Sequence, residues 1–273
     1  LESDWRNKMA KMGFEMKIGI FLVSAIILLA LVSIFYTPYD ISAMNVSARN
    51  LPPSLSHFAG TDRFGRDIFS RLMVGSRFTL ITALATVAGS TVFGTLLGLF
   101  SGYAGGIIDE IIMRVVDAVT SFPGILIALI VVTVMDYGKY TIILALCIMF
   151  VPSFTRVVRM GTLQYKDTEF VRYYRTFGAS HLRIIFVHIL PNIAPMLLSS
   201  VVIGLSNAIL AESSMSYLGL GIQPPAPSWG WMLNEAQSTV FRSPWYALST
   251  GIFIVVTIAG FNFIGEGIRK IFG

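Results

Sequence analysis

The sequence predicts an all-α, polytopic membrane protein with six transmembrane helices. Three observations carry that reading. Apolar residues fill 55% of the 273 positions and charged residues only 13%, with a mean hydropathy of +0.73. A soluble domain carries about 25% charged residues, and a disordered chain carries few apolar ones. Six apolar runs come close to the roughly 20 residues that a helix needs to cross a bilayer. The basic residues divide unequally between the segments joining those runs, as they do in membrane proteins.

The remaining composition excludes other classes. Cys147 is the one cysteine, so neither a disulfide framework nor a multi-cysteine zinc site is available. His57, His181 and His188 are scattered and read as hydrogen-bonding loop residues, not metal ligands. The chain has 20 basic against 15 acidic residues. No basic cluster is interleaved with aromatics in a polar segment, so this excess points to a membrane face and not to nucleic acid.

The spans follow in order. The first covers 18–36 and is expected to be an uncleaved helix: Lys8, Lys11 and Lys17 precede it, and Tyr36-Thr37-Pro38 follows where a signal peptide would show a small-residue cleavage site. The others are expected at 78–100, 111–135, 140–158, 193–218 and 246–264. Pro123 and Pro152 lie inside spans, which membrane helices tolerate. Gly94 and Gly98 form a small-xxx-small pair of the kind that permits close helix approach, though such a pair also arises by chance in a glycine-rich chain. Three regions result: 1–36, an N-terminal cytoplasmic segment and first helix; 37–77, an external loop; and 78–268, a five-helix core. The core carries a cytoplasmic loop at 159–192 and an external loop at 219–245.

With both termini inside, the cytoplasmic side receives Arg6, Lys8, Lys11, Lys17, Arg114, Arg156, Arg159, Lys166, Arg172, Arg175, Arg183, Arg269 and Lys270. The outside receives Arg49, Arg63, Arg66, Arg71, Arg77, Lys139 and Arg242. The positive-inside rule selects this orientation.

Two loops carry most of the information. In the cytoplasmic one, Phe170, Tyr173, Tyr174 and Phe177 recur at i, i+3, i+4 and i+7, a single helical stripe. Asp167 or Thr168 suits its N-cap, Gly178 its left-handed C′ position, and Ser180 the cap of a second helix expected to stop at Pro191. Such a stripe lies either in the lipid interface or in a groove on a partner. In the external loop, Leu218 to Trp231 is so rich in glycine and proline that no regular helix is expected there. Its paired tryptophans suit the membrane–water boundary.

Four motifs then resemble the permease subunits of peptide-type ATP-binding-cassette (ABC) importers, the dipeptide, oligopeptide and nickel group. They are Gly60-Thr61-Asp62-Arg63-Phe64-Gly65-Arg66-Asp67 with Ser70-Arg71-Leu72; Gly102-Tyr103-Ala104-Gly105-Gly106 with Asp109, Arg114 and Asp117; Phe177-Gly178-Ala179-Ser180 through His188-Ile189-Leu190-Pro191-Asn192; and Ser206-Asn207-Ala208-Ile209-Leu210 through Gly221-Ile222-Gln223-Pro224-Pro225. The resemblance implies a type I ABC importer permease fold in the cell inner membrane. It also implies a homologous second permease, two cytoplasmic ATPases that bind the ATP, and an external substrate-binding protein. No cofactor is expected in this chain, which has no G-x-x-x-x-G-K-[ST] loop. The ATPase-coupling residues would be Phe170, Arg172, Tyr173, Tyr174, Phe177, Gly178, Ala179 and Ser180. In one respect the chain departs from the family: Arg172-Tyr173-Tyr174 stands where such importers generally carry Glu-Ala-Ala.

The family reading gives half of a translocation pore for di- or oligopeptides. Alternatives are the same architecture importing nickel or another metal chelate, and a secondary transporter that needs no ATPase. Candidate path residues are Ser206, Asn207 and Glu212. Glu212, costly at membrane depth, is expected either to line the path or to make a helix–helix hydrogen bond, with Asn207 and Ser214 extending its polar face. Arg114 and Asp117 are expected to pair at i, i+3. Arg63, Arg66 and Asp67 are expected to order the external loop as an ion-pair cluster. Cys147 is expected to be an inert packed thiol.

Overall fold

A computed structural model describes residues 13–135 and 138–272. Arg6, Lys8 and Lys11 lie outside the described residues, as does the side chain of Lys139. The helices are α1 (Phe14–Val32), α2 (Ile68–Ala104), α3 (Gly106–Ser121), α4 (Gly124–Met135), α5 (Lys139–Tyr165), α6 (Glu169–Thr176), α7 (His181–Tyr217), α8 (Trp229–Gln237) and α9 (Pro244–Phe272). No strand occurs among the described residues beyond an isolated Thr61–Asp67 bridge.

Among the described residues, five helices are long and apolar enough to cross a membrane: α1, α2, α5, α7 and α9. A sixth span exists only if α3 and α4 are taken together, and these are bent by 91°. The continuous helix expected over 111–135 is therefore corrected to a broken one. Pro123 is the cause: its ring pushes Phe122 out of the helical region, to φ −89° and ψ 136°.

The helix ends also differ from expectation. α2 begins at Ile68 rather than near 78, because Asp67 caps it by accepting from the Ser70 N–H at 2.7 Å. Its first turns hold Ser70, Arg71 and Ser76, polar residues that a search for apolar runs passes over, and all three are buried by other parts of the chain. At 37 residues, α2 is roughly 55 Å long, so it projects well beyond a hydrocarbon core of about 30 Å. α7 does not stop at Pro191. A π-helical stretch, Ile184–Ile189, lets the Leu190 N–H bond back to Ile185 O, and the helix runs on through Pro191 and Pro195. The loop expected over 219–245 contains α8, capped by Ser228, whose side chain accepts from the Trp231 N–H at 3.3 Å.

The glycine pair on α2 is a packing surface. A Cβ on Gly94 would lie 2.5 Å from Phe154 Cβ, and one on Gly98 2.6 Å from Thr155 O. Gly102 continues the row against Thr162. α2 and α5 therefore touch backbone to backbone, which in a bilayer replaces the missing hydrophobic drive with dispersion contact. α1 packs along α9, and Lys270 Nζ lies 2.7 Å from Glu15 Oε2. The start of α1 and the end of α9 thus sit at one end of the bundle. The 166–180 loop lies at that end too, because α9 and α5 both run toward it.

Candidate functional site

The 159–192 loop forms the first site. α6 is anchored by Val171, which is buried in a cluster with Leu99, Val158, Ile184, Ile185, Ile189 and Ile193. The periodicity of the aromatics hid this residue; the signal for it was the one β-branched apolar side chain on α6, between Phe170 and Arg172. Phe170 packs beside that cluster and edge-on to Tyr165. Tyr173 (59% exposed) and Phe177 (71% exposed) point away from the bundle and lie ring to ring at 4.4 Å. Tyr174 stacks on His188 at 3.7 Å. The expected four-residue stripe is thus divided: Phe170 turns inward, and the three others form an outward aromatic surface with Arg172 and Arg175, both exposed, beside it.

The helix ends in a Schellman turn. Gly178 takes φ +77°, its N–H bonds to Arg175 O at 3.1 Å, and the Ala179 N–H bonds to Tyr174 O at 3.0 Å. Thr168 occupies the N-cap position, but its hydroxyl donates to Tyr165 O instead of capping. Ser180 caps the next helix weakly, accepting from the Arg183 N–H at 3.4 Å. His181 ties this turn to α2 through a 2.8 Å hydrogen bond with Tyr103 Oη. Tyr103 precedes Gly105 (φ +66°) and Gly106 (φ +53°), whose left-handed conformations turn α2 into α3.

Just above this turn the charges pair between helices. Arg159 binds Asp109 through two bonds of 2.6 Å, and Ser101 donates to the same carboxylate. The Arg114–Asp117 pair is corrected: Arg114 binds Glu110 at 2.6 Å, and Asp117 binds Arg156 of α5 at 2.7 Å. One pairing is local; the other crosses to α5.

The second site is the cap formed where the loop before α2 meets α8 and the start of α9. Asp62, fully buried, accepts from the Phe64 and Arg66 backbone N–H groups, from Arg66 Nε at 2.6 Å and from Arg71 Nη1 at 2.8 Å. Arg66 and Arg71 also reach Glu235 of α8, at 3.0 and 2.7 Å. Tyr246 of α9 donates to Glu235 at 2.8 Å. Burial alone would push the Glu235 carboxyl up, but the two guanidinium groups outweigh it and hold the carboxyl below its ordinary range. The expected cluster of Arg63, Arg66 and Asp67 is corrected in part. Arg66 is in the network, Asp67 instead pairs with His57 at 2.8 Å while capping α2, and Arg63 only bonds the Ser238 hydroxyl at 3.2 Å. Glu235 was missing from the sequence reading. Its signal was a lone carboxylate on a Trp- and Met-bearing helix, which needs a cationic partner.

The path candidates separate. Glu212 is fully buried; Ser216 Oγ donates to its Oε1 at 2.7 Å, and Ser213 Oγ to its Oε2 at 3.5 Å. Ser216 Oγ also accepts from the Ile222 N–H at 3.3 Å, so Glu212 anchors the cap loop. Trp229 completes this junction, donating from its N–H to Thr79 Oγ1 at 3.3 Å and from Nε1 to Leu72 O at 3.1 Å. Ser206 is buried and donates to Ile258 O of α9 at 3.3 Å. Asn207 and Ser214 are exposed. They do not extend the face of Glu212, as expected, because at 100° per residue seven positions bring them together and leave Glu212 well to one side. Cys147 is half-buried, with Sγ 3.3 Å from Thr86 O. His188 lies on a helix, not in a loop.

Comparison with known proteins now bears on this geometry. Residues 94–273 match the family described as the binding-protein-dependent transport system inner membrane component. The chain belongs to that family. A dipeptide transport system permease protein of Alkalihalophilus pseudofirmus is 36% identical over 98% of this chain and 88% of its own length. A glutathione transport system permease protein of Pectobacterium atrosepticum is 38% identical, covering 92% of this chain and 83% of its own. An oligopeptide transport system permease protein of Bacillus subtilis is 36% identical over the same shares. Among solved structures, the inward-facing MetNI methionine ABC transporter matches with a TM-score of 0.62 at 18% identity, covering 74% of this chain and 96% of that one. The family's inner-membrane permease fold is thus the type I importer fold, and in it α6 forms the exposed loop helix between the α5 and α7 spans.

Proposed function

We propose that this permease forms half of a peptide translocation pore and is driven by cytoplasmic ATPases that dock on α6. The observation that carries the reading is the outward aromatic surface of Tyr173, Tyr174 and Phe177 on a short helix anchored by Val171 and closed by Gly178. Aromatic side chains held rigidly on a helix are what a partner pocket needs for high binding energy at low entropy cost. The names of the relatives support di- or oligopeptides, glutathione included, as cargo. The partners are a homologous permease, two ATPases and an external binding protein. Both termini and α6 are cytoplasmic, and the Asp62–Glu235 cap faces outward. The substitution of Arg172-Tyr173-Tyr174 for the usual Glu-Ala-Ala supports a docking pocket of altered charge on the ATPase.

The test is reconstitution with those partners in proteoliposomes and measurement of dipeptide uptake. ATP-dependent uptake that ceases with inactive ATPases is the expected result. Uptake that continues without ATP identifies a secondary transporter, and ATP-dependent uptake of nickel in place of dipeptide identifies the metal-importing alternative.

A further inference from the structure

We propose that the groove between α5 and α7 is the hydrated, cargo-facing wall of this subunit, and that from Ser153 to Asn207 it offers the cargo neutral hydrogen-bonding groups, the one lining charge, Arg269, being paired with Glu266 at its α9 edge. This rests on the permease reading above. Two adjoining cavities, of about 150 and 440 Å³, lie along the α5–α7 seam and share Ser200 and Ile203. The smaller is lined by Ser153 and Asn207, the larger by Gln164, Asn192 and Arg269. Asn192 and Asn207 lie on one helix, 15 residues apart, which is roughly 22 Å of a hydrocarbon thickness of about 30 Å.

Both helices are apolar enough to span a membrane, with mean hydropathies of 2.1 and 1.9. Yet Ser153 and Asn207 are exposed on them, and among the described residues the Asn207 carboxamide has no partner. An unpaired amide facing lipid tails is strongly disfavoured, because nothing there replaces its hydrogen bonds to water. That face must therefore meet water, cargo or a polar surface. The charges near it are already paired: Arg156, one turn from Ser153, binds Asp117 at 2.7 Å, and Arg269 binds Glu266 at 2.8 Å. Glu212 and Ser206 are buried inside the subunit, so these two path candidates are not on this wall.

The test is thiol accessibility in the assembled transporter, with Cys147→Ser as background. Ser153→Cys, Ser200→Cys and Asn207→Cys are each treated with a cationic and an anionic methanethiosulfonate reagent. Rates are normalised to those of a free thiol in solution. Leu28→Cys and Phe93→Cys, both on exposed apolar faces, are the comparison. The groove thiols are expected to react about tenfold faster or more, because only a hydrated thiolate reacts, and equally with both reagents. Rates as slow as Leu28→Cys overturn the hydrated wall and identify a dry seam with the second permease. A strong preference for one reagent charge overturns its neutrality. Co-purification of the second permease and ATPases is measured on the same samples, so loss of those partners registers failure of the permease reading separately.

Discussion

Arg71 Nη1 lies 2.7 Å from Glu235 Oε2 and 2.8 Å from Asp62 Oδ2, and with these contacts one guanidinium joins the loop before α2, α2 itself and α8. The arginine is buried at 4% side-chain exposure and Glu235 at 9%. Removing Glu235 leaves two guanidinium groups, Arg66 and Arg71, to share the single carboxylate of Asp62. Glu235→Ala is expected to cost about 3–5 kcal/mol, read as a lowered thermal midpoint of the purified permease. The carboxyl of Glu235 is held below its ordinary range, so its contribution is full above the unfolded carboxylate pKa and is lost as pH falls through the lower, folded one. Glu235→Gln should flatten that acid limb of the stability profile. An unchanged limb would show that the carboxylate is not what stabilises the cap.

The Schellman turn gives a backbone prediction. A Cβ on Gly178 meets nothing within 4 Å, so Gly178→Val acts only through its φ of +77°. The left-handed strain is about 1–2 kcal/mol, enough to redirect α6 without unfolding the bundle. Both Gly178→Val and Tyr174→Ala are expected to lower co-purification of the ATPases while the permease still inserts. Normal co-purification with both would favour docking in the lipid interface.

Glu212 is expected to behave as an anchor. Glu212→Gln keeps a hydrogen-bond acceptor for Ser216 and should preserve assembly and transport. Glu212→Ala orphans Ser213 and Ser216 and frees the cap loop. Each buried unsatisfied group costs about 1–3 kcal/mol, and loss of the assembled complex on size exclusion is the expected outcome. Loss of transport in a fully assembled Glu212→Gln complex would return this residue to the path.

The glycine row offers a paired comparison. Gly98→Leu places a side chain where a Cβ would already be 2.6 Å from Thr155 O, so α2 and α5 must separate. Gly251→Leu on α9 meets nothing within 4 Å. Folded yield in detergent should collapse for the first and survive for the second. Equal yields would remove the glycines from helix packing.

Sidedness can be read with single cysteines in the Cys147→Ser background. Phe241, 103% exposed beside the cap, and Thr176, exposed on α6, are suitable positions, whereas Ser228 is wholly buried. An impermeant reagent should label Phe241→Cys on intact cells and spare Thr176→Cys. The reverse pattern would invert the orientation.

Composition and hydrophobic runs alone determined the class of this protein, because an apolar helix long enough to cross a bilayer is a property of about twenty consecutive side chains and needs no partner. The capping chemistry of Asp67 and the left-handed turn at Gly178 are equally local: the first was passed over for an apolar start near 78, and the second was read directly from a glycine following a helical stripe. What tertiary structure decided involves residues distant in sequence. Arg71 finds Glu235, Arg159 finds Asp109, and Asp117 turns from Arg114 to Arg156. Val171 displaces the aromatics as the inward anchor of α6, and Glu212 parts from Asn207. A buried charge or amide is satisfied by whatever the fold brings within about 3 Å of it, and that neighbour is set by helix packing, which sequence periodicity constrains only to a face.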